Sequence, residues 1–248
     1  MLNKRKKVLV TGGCGFVGSH TVDYLVKLGF DVTVIDNLSS GTLKNLNNNC
    51  KFYSIDIEDR NLVDKIFKKI RPNYVIHLAA KINRSIKDEN QIFDTNNQII
   101  GSLNLIKSSI KYGVKKFIYG SSVAVYGKQK ILPVKEESKL LADTSYGICK
   151  LTTEKFLKYF HDFYGLKYVS LRYSNIYGSR QKIMGEVGVI AIFNKLLFES
   201  KKIKIFGSGS NTRDYIYIND AVKMTLKSMN SKTVGNFNIG SGISNKTS

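Results

Sequence analysis

Near its start the chain has a strand, a glycine-rich turn and a helix in immediate succession, and this order constrains the fold most. The apolar run Lys7–Thr11 predicts the strand, and the helical periodicity of Phe16–Leu28 predicts the helix. Gly12, Gly15 and Gly18 have the spacing GxxGxxG. Glycine permits a tight turn and a close approach of phosphate, and a helix N-terminus offers free N–H groups and a partial positive charge. The segment therefore predicts a turn that binds a pyrophosphate.

Strands and helices continue to alternate through the first part of the chain. Further strands are predicted at Val32–Ile35, Phe52–Ile55, Tyr74–Ala79, Lys116–Ser121 and Tyr168–Tyr173. Helices are predicted at Leu62–Ile70, Phe93–Tyr112 and Tyr146–Tyr164. Strands that are apolar on both faces are typical of a parallel sheet covered by helices on both sides. We therefore predict an α/β fold with a doubly wound parallel sheet, which binds ligands at the carboxyl ends of its strands.

Acidic residues at two strand ends indicate which dinucleotide the turn binds. Asp36 follows the second strand, about 20 residues after the glycine turn, where a carboxylate accepts hydrogen bonds from the adenosine ribose and repels a 2′-phosphate. This favours NAD over NADP as the cofactor. Asp56 follows the third strand and is expected either to accept from the adenine amine or to cap the next helix.

A tyrosine and a lysine four residues apart form the candidate catalytic pair. Tyr146 and Lys150 lie at the start of a predicted helix, and this spacing puts both side chains on one face. A nearby ammonium favours the tyrosinate and so lowers the tyrosine pKa towards the working pH. A pair of serines, Ser121 and Ser122, ends the fifth strand. His77 is expected to be a strand residue packed near the cofactor rather than a catalytic base.

The formal net charge of +20 raises the possibility of a nucleic-acid partner. Its 39 cationic side chains are mostly lysines spread over the whole chain, without a basic motif that has interleaved aromatic residues. We therefore do not expect nucleic-acid binding, although a positive field attracts a negatively charged nucleotide substrate.

No stretch is long and apolar enough for a membrane span or a signal peptide, so we expect a cytoplasmic protein. The three cysteines have no metal-binding spacing, and no metal is expected.

Several motifs in a fixed order resemble the extended short-chain dehydrogenase/reductase family, and within it the UDP-glucose 4-epimerases and related nucleotide-sugar epimerases. In chain order they are Thr11–Gly18, Asp36, His77–Ala80, Ser121–Gly127, Tyr146–Lys150, Leu171–Gln181, Arg213–Asp220 and Asn236–Gly240. The resemblance covers the whole chain. It implies a Rossmann-like fold, NAD as cofactor, a nucleotide-diphosphate sugar as substrate and inversion at C4 of the sugar through a 4-keto intermediate.

The resemblance also implies roles for individual residues. Tyr146 is expected to be the base, Lys150 to tune it, and Ser122 to bond the C4 oxygen of the sugar. Asn175 and Arg213 are expected to contact the substrate diphosphate, and a guanidinium suits phosphate oxygens on chemical grounds as well. The residues expected to bind the cofactor are Gly12, Gly15, Phe16, Val17, Gly18, Asp36, Asn37, Asp56, Ile57, Leu78, Ala79, Ala80, Tyr146, Lys150 and Tyr173.

We predict an NAD-binding Rossmann-like domain over residues 1–174 and a partial substrate-binding lobe over residues 175–248, which can interleave with the first. The predicted elements of the lobe are helices at Glu186–Glu199 and Asn219–Met229 and strands at Ile203–Phe206 and Tyr215–Ile218. Members of the family continue for many tens of residues beyond the position of Ser248. We therefore expect a truncated chain whose pocket is open. Similar proteins pair as dimers through the two long helices, so a homodimer is possible.

Departures from the family pattern bear on the reaction. Val123 and Ala124 stand where dehydratases of the family carry an acidic pair, which disfavours dehydration; decarboxylases, with a Glu in this stretch, also fit less well. Gln98 stands three residues before Gly101, where the family usually has asparagine, but Asn97 is adjacent and a local shift would restore it. Alternatives to the epimerase are a 4-keto reductase, decarboxylase or dehydratase of the same family, or a non-catalytic dinucleotide-binding protein.

Overall fold

The computed structural model describes residues 5–80, 95–182, 188–205 and 208–246. Its strands are β1 (Lys7–Thr11), β2 (Asp31–Asp36), β3 (Lys51–Ser54), β4 (Tyr74–His77), β5 (Lys116–Ser122), β6 (Tyr168–Tyr173), β7 (Asn175–Tyr177), β8 (Thr212–Tyr217), β9 (Gly235–Ile239) and β10 (Ser244–Lys246). Its α-helices are α1 (Phe16–Lys27), α2 (Arg60–Ile70), α3 (Gly101–Lys111), α4 (Ser145–Tyr164), α5 (Val189–Phe198) and α6 (Ile218–Asn230). A π-helical turn, Asn96–Ile100, leads directly into α3.

Seven strands form one sheet in the order β3-β2-β1-β4-β5-β6-β9, and all six neighbouring pairs are parallel. The winding reverses direction between β1 and β4, and ligands bind at the carboxyl ends of the strands at such a switch point. A smaller sheet, in the order β10-β8-β7, lies in the later part of the chain. Because β9 returns to the large sheet beside β6, the later segment contributes to both sheets. The domain boundary at residue 174 stays a prediction.

The large sheet is buried on both faces. Val8 and Val10 of β1 belong to the core beneath α1 and α6, whereas Leu9 points into the core beneath α2, α3 and α4. This alternation follows from the two-residue period of a strand, and its apolar character on both sides is typical of a central parallel strand. The predicted doubly wound α/β fold is confirmed.

The predicted strands at Lys7–Thr11 and Tyr168–Tyr173 are confirmed to the residue, and the other main strands and helices differ only at their ends. In the later segment α5 and α6 occupy most of the predicted helices, although residues 186 and 187 lie outside the described residues. The predicted strand Ile203–Phe206 is wrong for Ile203–Ile205, because no strand of the described chain pairs with it; Phe206 lies outside that part.

Phe93 and Asp94, the first residues of the long predicted helix Phe93–Tyr112, also lie outside the described residues. Within the ranges that the structure describes, no helix combines the length and the apolar character needed to cross a membrane.

Candidate active site

A cleft of about 1340 Å³ lies at the carboxyl ends of the large sheet and extends to the smaller one. It brings together nearly all of the predicted site residues. Those that line it are Gly12, Gly15, Phe16, Val17, Gly18, Asp36, Asn37, Ile57, Leu78, Ala79, Ala80, Ser122, Tyr146, Lys150, Tyr173, Asn175 and Arg213. Asp56 does not line the cleft, but it is bonded to Asn37, which does.

The glycine turn is shaped by close backbone contacts. Gly12 has a φ of +69°, and a Cβ at this position would lie 2.7 Å from the backbone nitrogen of Ala79. A Cβ on Gly18 would overlap the carbonyl oxygen of Gly12. Gly15 is the N-cap of α1 and has no side chain with which to cap the helix, and the first residues of α1, Phe16 to Gly18, line the cleft. This cradle fits a pyrophosphate.

Asp36 is held at the end of β2 by two backbone donors. Its Oδ2 accepts from the Cys14 N–H at 2.9 Å, and its Oδ1 accepts from the Leu38 N–H at 2.8 Å. Each carboxylate oxygen keeps a further lone pair, and the side chain lines the cleft beside the glycine turn. The arrangement fits the ribose of NAD, as does the position of Asn37 beside it.

Asp56 does not cap the helix that follows β3; it is bonded to Asn37 and to the backbone of Glu58 instead. Its Oδ2 accepts from Asn37 Nδ2 at 2.7 Å and its Oδ1 from the Glu58 N–H at 2.9 Å. The N-cap of α2 is Asp59, whose Oδ1 accepts from the N–H groups of Asn61 and Leu62. The capping alternative for Asp56 is therefore wrong, because Asp59 stands at the actual start of the helix. Its contact with adenine stays a prediction.

The start of α4 carries Tyr146 to the serine at the end of β5. Thr144 caps this helix, accepting from the Gly147 N–H at 3.1 Å. A Cβ on Gly147 would lie 2.6 Å from the carbonyl oxygen of Ala124, so only glycine lets the helix start so close to the turn after Ser122. Ser122 begins that turn, and its Oγ accepts from the Ala124 N–H at 3.2 Å. Helix and turn therefore approach each other closely, and both Ser122 and Tyr146 line the cleft.

Lys150 is almost completely buried, with only 2% of its surface exposed. Its Nζ donates to the carbonyl oxygen of Gly120 at 2.7 Å. It also lies 4.7 Å from the ring centroid of Tyr119 and 5.5 Å from that of Tyr146. A buried ammonium beside the Tyr146 phenol stabilises negative charge on it, because the surrounding protein screens the interaction less than water does.

His77, at the end of β4, is a buried structural residue. Its Nδ1 lies 2.7 Å from Thr11 Oγ1 and its Nε2 2.9 Å from Ser102 Oγ. Burial, and secondarily the Lys150 charge, lowers the pKa of His77 to about 3. The packing role expected for it is confirmed, and both of its ring nitrogens are engaged within the protein.

The cleft is rich in cationic side chains. Asn175 on β7 donates from Nδ2 to the Asp214 carbonyl at 3.2 Å, and Arg213 on β8 is exposed. The carboxylate of Asp214 accepts from Ser241 and Gly242, while that of Asp220 pairs with Lys223. These neighbouring acids are thus engaged elsewhere. The further cationic side chains that line the cleft are Lys128, Arg180, Lys182, Lys202 and Lys204.

Other residues of the cleft wall were not among the predicted ones. Ser39, Ser40 and Asn45 line it from the segment after β2, where the sequence shows only a polar loop. Asn97 and Gln98 of the π-helical turn are both buried, and of the two Asn97 lines the cleft. The sequence does indicate Asn97 indirectly, because it is adjacent to Gln98, which stands where the family resemblance predicts asparagine.

The chain belongs to the NAD dependent epimerase/dehydratase family, whose model matches residues 8–240. It is 40% identical over 237 residues to a putative UDP-glucose 4-epimerase of Methanocaldococcus jannaschii, a match that covers 95% of this chain and 77% of the relative. The structure of UDP-glucose 4-epimerase from Thermotoga maritima with UDP-glucose has a TM-score of 0.94 and 45% identity, covering 97% of this chain and 79% of the other. That of the Thermus thermophilus enzyme with NAD has a TM-score of 0.91 and 34% identity, with coverage of 97% and 79%.

These similarities confirm four of the predictions made from the sequence: the family, the Rossmann-like fold, NAD as the cofactor and an NAD-dependent epimerase as the class of enzyme. The roles of individual site residues stay predictions. The geometry of the cleft and the chemistry of its side chains support them.

Proposed function

We propose that this enzyme inverts C4 of a UDP-hexose through a 4-keto sugar, with Ser122, Tyr146 and Lys150 as its catalytic residues. The proposal rests mainly on the position of Lys150, whose buried ammonium lies 5.5 Å from the centroid of the Tyr146 ring. Both residues line the same cleft as the glycine turn. NAD, held by the glycine turn and Asp36, supplies a reversible acceptor of hydride. The reaction needs a base for the C4 hydroxyl, and Tyr146 is the side chain that fits this role.

The residues divide the proton chemistry among them. Tyr146 takes the proton from the C4 hydroxyl of the sugar, with Ser122 in position to bond the same oxygen and relay the proton. Lys150 stays protonated and stabilises the phenolate. After the 4-keto sugar has rotated in the cleft, inversion would be completed when C4 regains hydride on its opposite face and its oxygen regains the proton from Tyr146. The chain thus ends each cycle in its starting protonation state.

The side chains around the sugar disfavour the other reactions of the family. Val123 and Ala124 line the cleft directly after Ser122 and cannot donate or accept a proton. Dehydration and decarboxylation are disfavoured here because no acid or base stands at these two positions. Asn175 and Arg213, together with the neighbouring lysines, suit a diphosphate. The UDP-glucose 4-epimerase names of the relatives support uridine as the nucleoside.

The test is to incubate the enzyme with NAD and UDP-glucose, UDP-galactose or their glucuronate and N-acetyl forms, and to follow C4 inversion by proton NMR. With a substrate deuterated at C4, the product is expected to keep the label. Tyr146→Phe is expected to lower turnover by at least about a hundredfold, the lower range for loss of a general base, while NAD stays bound. Tyr53→Phe, on β3 and away from the cleft wall, is the matched control and is expected to turn over normally.

Near-normal turnover by Tyr146→Phe would refute the catalytic assignment. Tight NAD binding by the wild-type chain without conversion of any of these sugars would instead favour the non-catalytic dinucleotide-binding alternative.

We further propose that the chain forms a homodimer through the outer faces of α3 and α4. Ile148, Tyr159 and Phe163 are exposed and recur at helical spacing along one face of α4. Tyr159 and Phe163 are in ring contact with each other, and exposed apolar side chains of this kind are typical of an interaction surface. Sedimentation is expected to show a dimer that Phe163→Lys converts to a monomer; a wild-type monomer would contradict the proposal.

The cytoplasmic location stays a prediction, and the three free cysteines support it.

A further inference from the structure

A buried carboxylate lies beneath the catalytic helix. Glu154 follows Lys150 by one turn of α4, and only 2% of its surface is exposed. It forms a two-pronged ion pair with Arg172 on β6, in which Nη2 lies 2.7 Å from Oε2 and Nε lies 3.0 Å from Oε1. Two parallel charge-assisted hydrogen bonds fix direction as well as distance. The pair therefore sets the position of α4 against β6.

The same carboxylate is bonded to the strand that carries the catalytic serine. Ser121 Oγ donates to Glu154 Oε1 at 2.6 Å, and Ser121 directly precedes Ser122 on β5. Ser170 Oγ on β6 donates to the same oxygen at 3.2 Å. One carboxylate thus joins the helix of Tyr146 and Lys150 to the strand end of Ser122.

The guanidinium extends this connection to the other side of Ser122. Arg172 Nη1 donates to the hydroxyl of Tyr126 at 2.7 Å, and that hydroxyl donates to Asn238 Oδ1 on β9 at 2.7 Å. Tyr126 closes the short 3-10 turn that begins immediately after Ser122. Ser121, directly before the proposed catalytic serine, and Tyr126, four residues after it at the end of the turn, are therefore both hydrogen-bonded to the same buried ion pair.

Burying two charges is costly, and an apolar pair of similar volume often stabilises a fold at least as well. The position of this ion pair suggests a use beyond stability. We propose that Glu154 is a positioning residue, which, through Ser121 and Arg172, fixes the distance between Ser122 and the Tyr146–Lys150 pair. The proposal depends on the proposed catalytic function of those three residues.

Two serine variants separate positioning from simple stabilisation. Ser121→Ala and Ser170→Ala each remove one buried hydroxyl that donates to the same oxygen of Glu154, and each leaves the ion pair intact. A misplacement of about 1 Å can cost a hundredfold in rate. We therefore expect Ser121→Ala to lower kcat by about tenfold or more, with KM, bound NAD and Tm close to those of Ser170→Ala. Ser170→Ala is expected to keep a kcat near the wild-type value.

Equal kcat values for the two variants, or a loss in Ser121→Ala that appears only in KM or Tm, would overturn the proposal. If Ser121→Ala does not fold, Tyr126→Phe serves instead: it keeps the ring and removes the bond to Arg172, so an unchanged kcat would equally overturn the proposal. A wild-type chain without C4 inversion, or an active Tyr146→Phe, would mark failure of the proposed function. An active wild type with inactive Tyr146→Phe and normal Ser121→Ala would mark failure of the positioning role alone.

Discussion

The buried imidazole of His77 makes the stability of the fold depend on pH. Only 1% of its surface is exposed, and both ring nitrogens lie within hydrogen-bond distance of hydroxyl groups, those of Thr11 and Ser102. Burial and the nearby Lys150 charge lower its pKa from 6.5 to about 3. The unfolded chain therefore binds a proton at His77 over a pH range in which the folded chain does not.

The sign and size of the effect follow from linkage. The contribution of neutral His77 to stability is fully present above the unfolded pKa of 6.5 and is lost as pH falls towards 3. Each pH unit within this window costs about 1.4 kcal/mol. At about pH 5 the loss is therefore roughly 2 kcal/mol, and for a domain of this size it lowers Tm by roughly 4–8 °C.

The assay is denaturant unfolding of the wild type and His77→Gln at about pH 8 and about pH 5. Other acidic groups change the stability of both proteins alike, so the comparison isolates His77. We expect the wild type to lose roughly 2 kcal/mol more than the variant over this interval. An equal loss in both proteins would refute the conclusion that the buried imidazole stays neutral.

Three further predictions follow from close contacts near the cleft. Gly18→Ala is expected to weaken NAD binding by more than about tenfold in calorimetry, about 1.4 kcal/mol, because its Cβ would displace the carbonyl of Gly12. Thr144→Ala is expected to cost about 1 kcal/mol and lower Tm by about 2–4 °C in calorimetry, while Thr144→Ser keeps the cap. Gly147→Ala is expected to lower kcat by up to about a hundredfold in the epimerase assay and to change KM less, since its Cβ would push the helix away from Ala124. Unchanged NAD affinity, Tm or kcat, respectively, would contradict them.

Elements whose signals are local could be predicted closely from the sequence. β1 and β6 are short, β-prone and mainly apolar segments bounded by glycine or polar residues, and α4 ends at Gly165, which has a φ of +69°. The position of β9 beside β6 could not be predicted, because strand pairing depends on contacts between distant segments. The same reason explains the wrong strand at Ile203–Phe206, which has a suitable composition but no partner over its described residues.

In the candidate site, too, features with a local sequence signal could be predicted and features that depend on distant contacts could not. The glycine turn and the Tyr146–Lys150 pair are defined by spacing within one turn and one helix, so the sequence alone indicates them. Glu154 and Arg172 are 18 residues apart and meet only because α4 packs across β6. Glu154 has no local pattern that distinguishes it from a surface charge, and the motif and strand that contain Arg172 do not indicate its partner. The burial of this ion pair, and with it the positioning role proposed for Glu154, can be seen only in the tertiary structure.

The π-helical turn before α3 explains the apparent loss of an asparagine at the cleft. The sequence has Gln98 three residues before Gly101, where the family resemblance predicts asparagine. A π turn contains one more residue than an α turn and so shifts the preceding residues around the helix axis. Asn97 accordingly lines the cleft and hydrogen-bonds the Glu58 carboxylate, opposing the rise in the pKa of Glu58 that burial and Asp56 cause.

Gln98 does not line the cleft, and its backbone carbonyl oxygen accepts from the hydroxyls of Ser102 and Thr153. Thr153 lies on α4, directly before Glu154, so the π turn is bonded to the helix that carries the catalytic pair. The departure in sequence and the irregularity in the helix are therefore one feature. The extra residue returns an asparagine to the cleft, and the hydroxyl bonds to the Gln98 carbonyl hold the wide turn in place.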